Sequence, residues 1–327
     1  MPQLNRRFRL INILRFGQIL LGIGFAGIAL ATSLTTMVLT CLVFGYGFGL
    51  INVIQNLLVN EGSQGAIRRQ LLSGLHAVYA FAALTAPLIA AEFFRLQLGW
   101  RQAFMGFAGV VAVSFIGTFF VRDVKTISQK DSSTAQIITK GRGWQTYFRF
   151  GSVLSLYIVS EIILATRLPL YLRRVYSYSP EQAATLLALF FLFLLLGRLL
   201  FLAVPMRTTS LMLIEAGLIG SLIIYGLGLW VHPLFFAFCG LTMAPIFGVS
   251  IDFIIEFYYR YANEAVSMCL AISCIYIVIM HFIVGLMTDR FGIANAMYVG
   301  LITLAFSWIL LMTVKKTNIA SKKLHLT

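Results

Sequence analysis

Charged side chains are scarce in this chain: they make up 11% of its 327 residues. A soluble globular domain carries about a quarter, so an ordinary soluble fold is excluded. Cysteine is scarce too. Cys41, Cys239, Cys269 and Cys274 each stand inside an apolar run, and no two form a CxxC pair. That gives no support to a disulfide framework or a cysteine-built metal site, and leaves buried thiols acting as small apolar residues. There is no Walker loop, no HExxH and no GxSxG, so nothing supports an ATPase or a hydrolase, and the chain reads as a non-enzyme without cofactor or metal. Gly22-Ile23-Gly24-Phe25-Ala26-Gly27 does match GxGxxG. It lies in an apolar helical run with no strand before it, and the dinucleotide reading needs that strand. Close helix packing accounts for these glycines and for Gly45-x-x-x-Gly49.

What the chain has instead is ten long apolar runs, at residues 16–34, 37–59, 75–94, 103–121, 153–172, 183–204, 210–229, 233–258, 266–287 and 296–314. A helix of about 20 residues crosses a hydrocarbon core of about 30 Å. The runs are continuous rather than alternating, which argues against a β-barrel. The chain is therefore read as an all-α polytopic membrane protein of about ten transmembrane helices, with the lipid bilayer as its main partner. The Arg6, Arg7, Arg9 start precedes a run too long for a signal-peptide core, with no small-residue cleavage site.

Lys and Arg fall unevenly between the loops. With the N-terminus inside, the inner segments hold Arg6, Arg7, Arg9, Arg15, Arg68, Arg69, Arg122, Lys125, Lys130, Lys140, Arg142, Arg149, Arg198, Arg207, Arg260, Lys315, Lys316, Lys322 and Lys323. The outer segments hold only Arg95, Arg101, Arg173, Arg174 and Arg290. This positive-inside bias predicts that both termini are cytoplasmic. The +14 net charge is then a topology signal, aided by anionic inner-leaflet lipid. The basic residues do not gather on one surface, so nucleic acid is not an expected partner.

One polar connection, 122–149, separates four runs from six and contains Lys130-Asp131-Ser132-Ser133-Thr134. It predicts three segments: an N-terminal bundle at 1–121, a cytoplasmic central loop at 122–149 and a C-terminal six-helix bundle at 150–327. A weak repeat links the halves. Run two carries Gly45, Gly47, Gly49, then Asn52 and Asn56; run eight carries Gly240, Pro245, Gly248, then Asp252 and Glu256.

Several stretches resemble those of a known family. Leu4-Asn5-Arg6-Arg7-Phe8-Arg9 is similar to the end of a Gly/Asp/Arg-rich loop, without its aspartate; Leu98-Gly99-Trp100-Arg101-Gln102-Ala103-Phe104 resembles a GWR-x-x-F turn; Thr288-Asp289-Arg290-Phe291-Gly292 resembles a DRFG turn. In order and spacing these resemble the major facilitator superfamily from its third to its twelfth helix. Leu75-His76 with Ala86-Pro87-Leu88, and Tyr157, Glu161 with Leu168-Pro169-Leu170-Tyr171-Leu172, resemble the fucose- and glucose/galactose-type sugar–proton symporters. The resemblance implies a two-bundle transporter with an incomplete N-terminal half. It implies movement of a small polar solute, a sugar among the candidates, coupled to protons by alternating access, in the inner (plasma) membrane of a bacterium. Two alternatives stay open: efflux of a drug or metabolite, and a truncated, non-transporting fragment that needs a partner chain to supply the missing helices. Such a chain would cover polar groups such as Asn52 that otherwise face lipid.

The candidate site residues are polar groups within apolar runs. Glu161 lies near the middle of run five, where a carboxylate costs on the order of 3 kcal/mol. It is either a proton-coupling or substrate-binding acid, or a structural acid paired with a neighbouring helix. Tyr157 is one turn away on the same face. Arg167 points to another face and is placed to snorkel, to pair with an acid or to bind an anionic substrate group. Asn52, Asn56 and Asn60 form a stripe on run two; the first two are expected to line a solute path or to lock helices, worth about 0.6–2 kcal/mol each, and Asn60 to be solvated. His281 and His76 are candidate proton relays or hydrogen-bonded structural residues. Asp252 and Glu256 share a face near the inner end of run eight and are expected to form a gate or an ion pair with Arg68 and Arg69. Arg198 is expected to snorkel or pair at the same gate.

Overall fold

A helix needs no partner for its backbone, which is why apolar runs in lipid become helices. The computed structural model describes residues 10–120, 144–204, 208–258 and 261–323, and among them regular structure is helical. The helices are α1 (Leu10–Leu30), α2 (Leu34–Gly62), α3 (Gly65–Arg95), α4 (Trp100–Gly117), α5 (Trp144–Val175), α6 (Pro180–Ala203), α7 (Ser210–Trp230), α8 (Phe235–Met243), α9 (Ile246–Tyr258) and α10 (Ala262–Lys323). Eight helical stretches among the described residues are long and apolar enough to cross a membrane. The last of them, Ala262–Val314, spans 53 residues and holds both runs 266–287 and 296–314. The run 75–94 lies in α3, which is 31 residues long and begins with the polar stretch containing Arg68 and Arg69. Among the described residues, the greater part of each of the ten runs is helical. The Leu4–Arg9 stretch and residues 122–143 of the central connection lie outside the described residues, while 144–149 begin α5.

Helix ends follow local chemistry. Ser33 and Ser179 each close a capping box, with Thr36 and Gln182, and Pro180 occupies the first turn of α6. Run 233–258 is two helices, because Pro245 has no N–H to continue the ladder and α8 stops at Met243. In α10, Gly292 has φ +82, a left-handed backbone that glycine adopts without strain, and it breaks the helix between the last two runs at the DRFG stretch.

The described residues fall into two compact units. The first contains α1, α2, the part of α3 from Thr85 and α4; the second contains Gly65–Leu84 of α3 and α5 to α10. In the first unit α1 and α2 pack through small residues. A Cβ at Gly24 would stand 2.5 Å from Phe44 Cα, and one at Gly47 2.6 Å from Leu21 N. Close packing therefore does account for Gly24, and for Gly27 against Thr40. The same explanation fails for Gly45 and Gly49, which face open space. Each lies two residues from Gly47, about 200° around the helix, so neither can share its contact. Gln18 donates to Ser114 at 3.0 Å and Arg15 to Thr118 O at 3.0 Å, tying α1 to α4. In the second unit α5 lies along α10: Ser155 meets Ser273 at 2.9 Å, Ser152 meets Tyr276 at 2.9 Å and Ser307 donates to Val153 O at 2.8 Å.

Many large apolar side chains stay exposed on the helices, Ile23, Val113 and Phe282 among them, as a lipid-facing surface requires. Two cysteines share that surface. Cys239 and Cys269 are buried as expected, but Cys41 and Cys274 are exposed, because in lipid an outward position costs an apolar thiol nothing.

Candidate functional site

Glu161 sits on α5 and is 8% exposed. A lone carboxylate there is unstable unless its oxygens are satisfied, and two elements supply the partners. From α5 itself Tyr157, one turn back, donates its hydroxyl to Glu161 Oε2. The same hydroxyl reaches Met243 O at 3.2 Å, one of the C-terminal carbonyls of α8 that the helix leaves free. From α6, Arg198 Nη2 reaches Glu161 Oε1 at 3.2 Å. Arg198 is only 2% exposed. Its Nη1 donates to His76 O on α3 at 2.8 Å, and its guanidinium lies 5.7 Å from the centre of the Tyr79 ring. Ser73, also on α3, donates to the Arg198 carbonyl at 2.7 Å. Arg198 Nε is buried and has no hydrogen-bond partner.

The position of Arg198 is the main departure from the sequence expectation. It pairs with Glu161, not with the acids of the inner end. A signal for this was available. α5 and α6 are joined by the short connection between Val175 and Pro180, so they run antiparallel. Counted from that connection, Glu161 and Arg198 differ in depth by about one turn, ~5–6 Å, which an arginine side chain can span. His76 contributes its backbone carbonyl to the cluster, while its ring packs edge-on to Phe247 with centroids 4.1 Å apart.

A second charged cluster joins the start of α3 to α9. Arg68 Nε reaches Asp252 Oδ1 at 2.8 Å and Arg69 Nε reaches Asp252 Oδ2 at 2.9 Å. Both carboxylate oxygens of Asp252, which has no exposed surface, therefore carry a guanidinium. Arg68 Nη2 also reaches Glu256 at 3.5 Å. Glu256 is part-exposed, one turn further along α9. Arg69 Nη2 donates to Ser210 at 3.0 Å and its Nη1 to Thr208 O at 3.3 Å, and Gln70 donates to Leu202 O at 3.0 Å. This is the ion pairing expected of Asp252 and Glu256 with Arg68 and Arg69.

The other candidates lie elsewhere. Arg167 is half-buried on α5 with its Nε unpartnered. His281 is exposed on α10, within electrostatic reach of Arg167. In the first unit Asn52 is exposed, and Asn56, 1% exposed, turns its amide back onto Asn52 O at 2.8 Å. Asn60, in the last turns of α2, is buried, 8% exposed, rather than solvated. Among the described residues no group of three His, Cys, Asp or Glu is arranged to hold a metal.

The GWR-x-x-F stretch also has a visible role. Gly99 precedes α4 as its N-cap residue. Arg101 donates to Ala31 O at 2.8 Å, just past the end of α1, and lies 4.9 Å over the Trp100 ring. A cation at the carbonyl end of a helix opposes its dipole.

Comparison with known proteins places this geometry in a family. The chain is 24% identical over 189 residues to a curated protein, "Protein TsgA homolog" of Serratia proteamaculans. The match covers 58% of this chain and about half, 48%, of that relative. Among solved structures, the E. coli fucose:proton symporter FucP superposes with a TM-score of 0.70 at 13% identity, covering 95% of this chain and 85% of that one. The proton:xylose symporter XylE gives 0.71 at 13%, covering 94% and 80%. The human organic anion transporter MFSD10 gives 0.71 at 13%, covering 92% and 77%. At these identities the structural likeness shows the fold alone. The family model described as Major Facilitator Superfamily matches residues 3–267, most of the chain, and with the helical architecture it makes this chain a member of the Major Facilitator Superfamily, an integral membrane protein of a family of transporters.

Proposed function

We propose that the chain is a secondary active transporter that moves a small polar solute, sugar-like in character, together with protons by alternating access. The observation that carries this reading is Glu161, a buried carboxylate held by Tyr157 and Arg198 within a membrane-spanning helix. A carboxylate at such a depth is costly, and its default reading is a functional one. Glu161 takes the proton and releases it. Tyr157 orients its carboxyl group. Asn52 and Asn56 line the solute path in the first unit, and Arg167 with His281 forms an outlying part of the proton or solute path. Asp252 and Glu256 with Arg68 and Arg69 form the inner gate. Arg198 and His76 adjust the Glu161 cluster to the state of that gate.

The proposed organisation is two bundles, 1–121 and 150–327, joined by a cytoplasmic loop, with both termini on the cytoplasmic side of a bacterial inner membrane. The resemblance to sugar–proton symporters supports the sugar-like solute and the coupling ion.

The test is uptake into proteoliposomes with L-fucose, D-xylose and D-glucuronate under an imposed pH gradient. Glu161→Gln should abolish gradient-driven accumulation while leaving solute exchange at equilibrium intact. Accumulation by Glu161→Gln at the wild-type rate, with unchanged pH dependence, would remove Glu161 and with it this reading.

A further inference from the structure

We infer that the solute carries a carboxylate, and that this carboxylate replaces Glu161 on Arg198 when Glu161 is protonated. The inference narrows the reading above to a substrate class, and it rests on that reading for the protonation of Glu161.

The argument is one of charge balance at a buried place. A guanidinium does not give up its proton in a protein, so Arg198 is a cation in every state. It is 2% exposed, and among the described residues Glu161 is the one carboxylate it touches. Protonating Glu161 alone strips Arg198 of its counter-charge and leaves an unpaired buried cation, the costly half of a broken buried pair. The other groups facing the pair cannot replace that charge. They are Tyr157 on α5, Tyr79 and the carbonyl of His76 on α3 and the Met243 carbonyl at the end of α8, with the His76 ring turned onto Phe247. All are neutral or, in the case of a charged histidine, of the wrong sign. A neutral sugar brings only hydroxyl dipoles. A solute carboxylate brings the missing charge.

The geometry leaves one donor of Arg198 unused. Glu161 holds Arg198 through Nη2 alone, while Arg198 Nε is buried and unpartnered. A carboxylate that takes Nε and Nη2 together makes the two-point contact that the planar fork of arginine favours, so it competes with the one-point contact of Glu161. In the exchange the proton passes from bulk water to the Glu161 carboxylate. The Glu161–Arg198 ion pair breaks, and the solute–Arg198 ion pair forms. The site is neutral before and after, so the cargo is one carboxylate with one proton. A sugar acid fits this requirement and a neutral sugar does not.

The test uses thermal unfolding of the purified full chain in detergent, with acetate, D-gluconate and D-glucuronate against D-glucose and L-fucose, at mildly acidic and at neutral pH. The wild type should be stabilised by the carboxylates and less by the neutral sugars. Carboxylate binding should be weaker at neutral than at mildly acidic pH, because each carboxylate bound takes up one proton. In Glu161→Gln no anion competes for Arg198, so the carboxylates should stabilise it at both pH values. Stabilisation by glucose equal to that by glucuronate would overturn the inference, as would no stabilisation of Glu161→Gln by any carboxylate of the series. If that variant does not fold, proton uptake by the wild type in weakly buffered solution decides: about one proton per glucuronate bound supports the exchange, and none overturns it. These readouts need no transport. Loss of carboxylate binding with proton-driven uptake intact sinks the substrate class alone, and unchanged uptake by Glu161→Gln sinks the coupling reading.

Discussion

Asp252 is the most heavily committed acid among the described residues. It has no exposed surface, and two guanidinium groups sit on its two oxygens. Removing its charge leaves Arg68, itself 6% exposed, with Glu256 at 3.5 Å as its remaining anion. Asp252→Asn should therefore destabilise the protein by about 3–5 kcal/mol, the cost of breaking a buried ion pair from one side. That appears as a lower Tm of the solubilised protein, and Glu256→Gln, at a part-exposed end of the same network, should cost well under half as much. Equal effects of the two substitutions would place the weight of the cluster on Glu256 instead. At this scale much was legible in the sequence. Glu161 stood out as a carboxylate in an apolar run, Tyr157 followed from i, i+4 spacing, and Asp252 with Glu256 pointed to a basic loop such as Arg68 and Arg69. Arg198 was not legible from its own surroundings. Its partner lies on another helix, so finding it takes the depth of two helices, not the local sequence.

Helices were read from apolar length, and that reading holds where length is the physics that matters. It is weaker where backbone chemistry intervenes. Pro245 splits one apolar run into α8 and α9, although the run is unbroken in hydropathy. α3 starts well before its apolar run because Arg68 and Arg69 are helical and paired, and hydropathy ends an element at any charge. Glycine contacts were the least legible feature, since a GxxxG spacing does not say which glycine faces a neighbour. Here Gly24 and Gly47 make the α1–α2 contact and Gly49 makes none. Gly24→Val should push Phe44 and α2 away, because even its Cβ would meet Phe44 Cα at 2.5 Å. Overpacking of that kind costs about 1–3 kcal/mol or more. Gly49→Ala should be neutral or slightly stabilising, since alanine favours a helix over glycine by about 1 kcal/mol. Size-exclusion profiles and Tm values of the two variants separate these outcomes. A Gly49→Ala protein as perturbed as Gly24→Val would mean that the α1–α2 contact uses the other face of α2.

The whole molecule is governed by lipid, and its orientation rests on the distribution of Lys and Arg. α6 runs from Pro180 to Ala203; its 24 residues span roughly 36 Å, more than a hydrocarbon core of about 30 Å. The residues just outside its two ends must then lie on opposite sides of the membrane. Ser177 and Thr208 are such residues, both exposed. The proposed outer placement of Ser177 rests on the positive-inside bias, despite the neighbouring Arg173 and Arg174, because the bias is carried by the whole set of loops. The four native cysteines would obscure a labelling experiment, Cys41 and Cys274 most of all because they are exposed, so all four are replaced by alanine. A cysteine introduced at Ser177 should then react with a membrane-impermeant maleimide in intact spheroplasts, and one at Thr208 only after the membrane is opened. The reverse pattern would invert the topology, moving the Arg68–Asp252 cluster to the outer side, so that its proposed role as an inner gate would fall. Reaction of both from the same side would mean that α6 does not cross the bilayer. In that case the Glu161–Arg198 pair would lose the surroundings that make its charge balance matter.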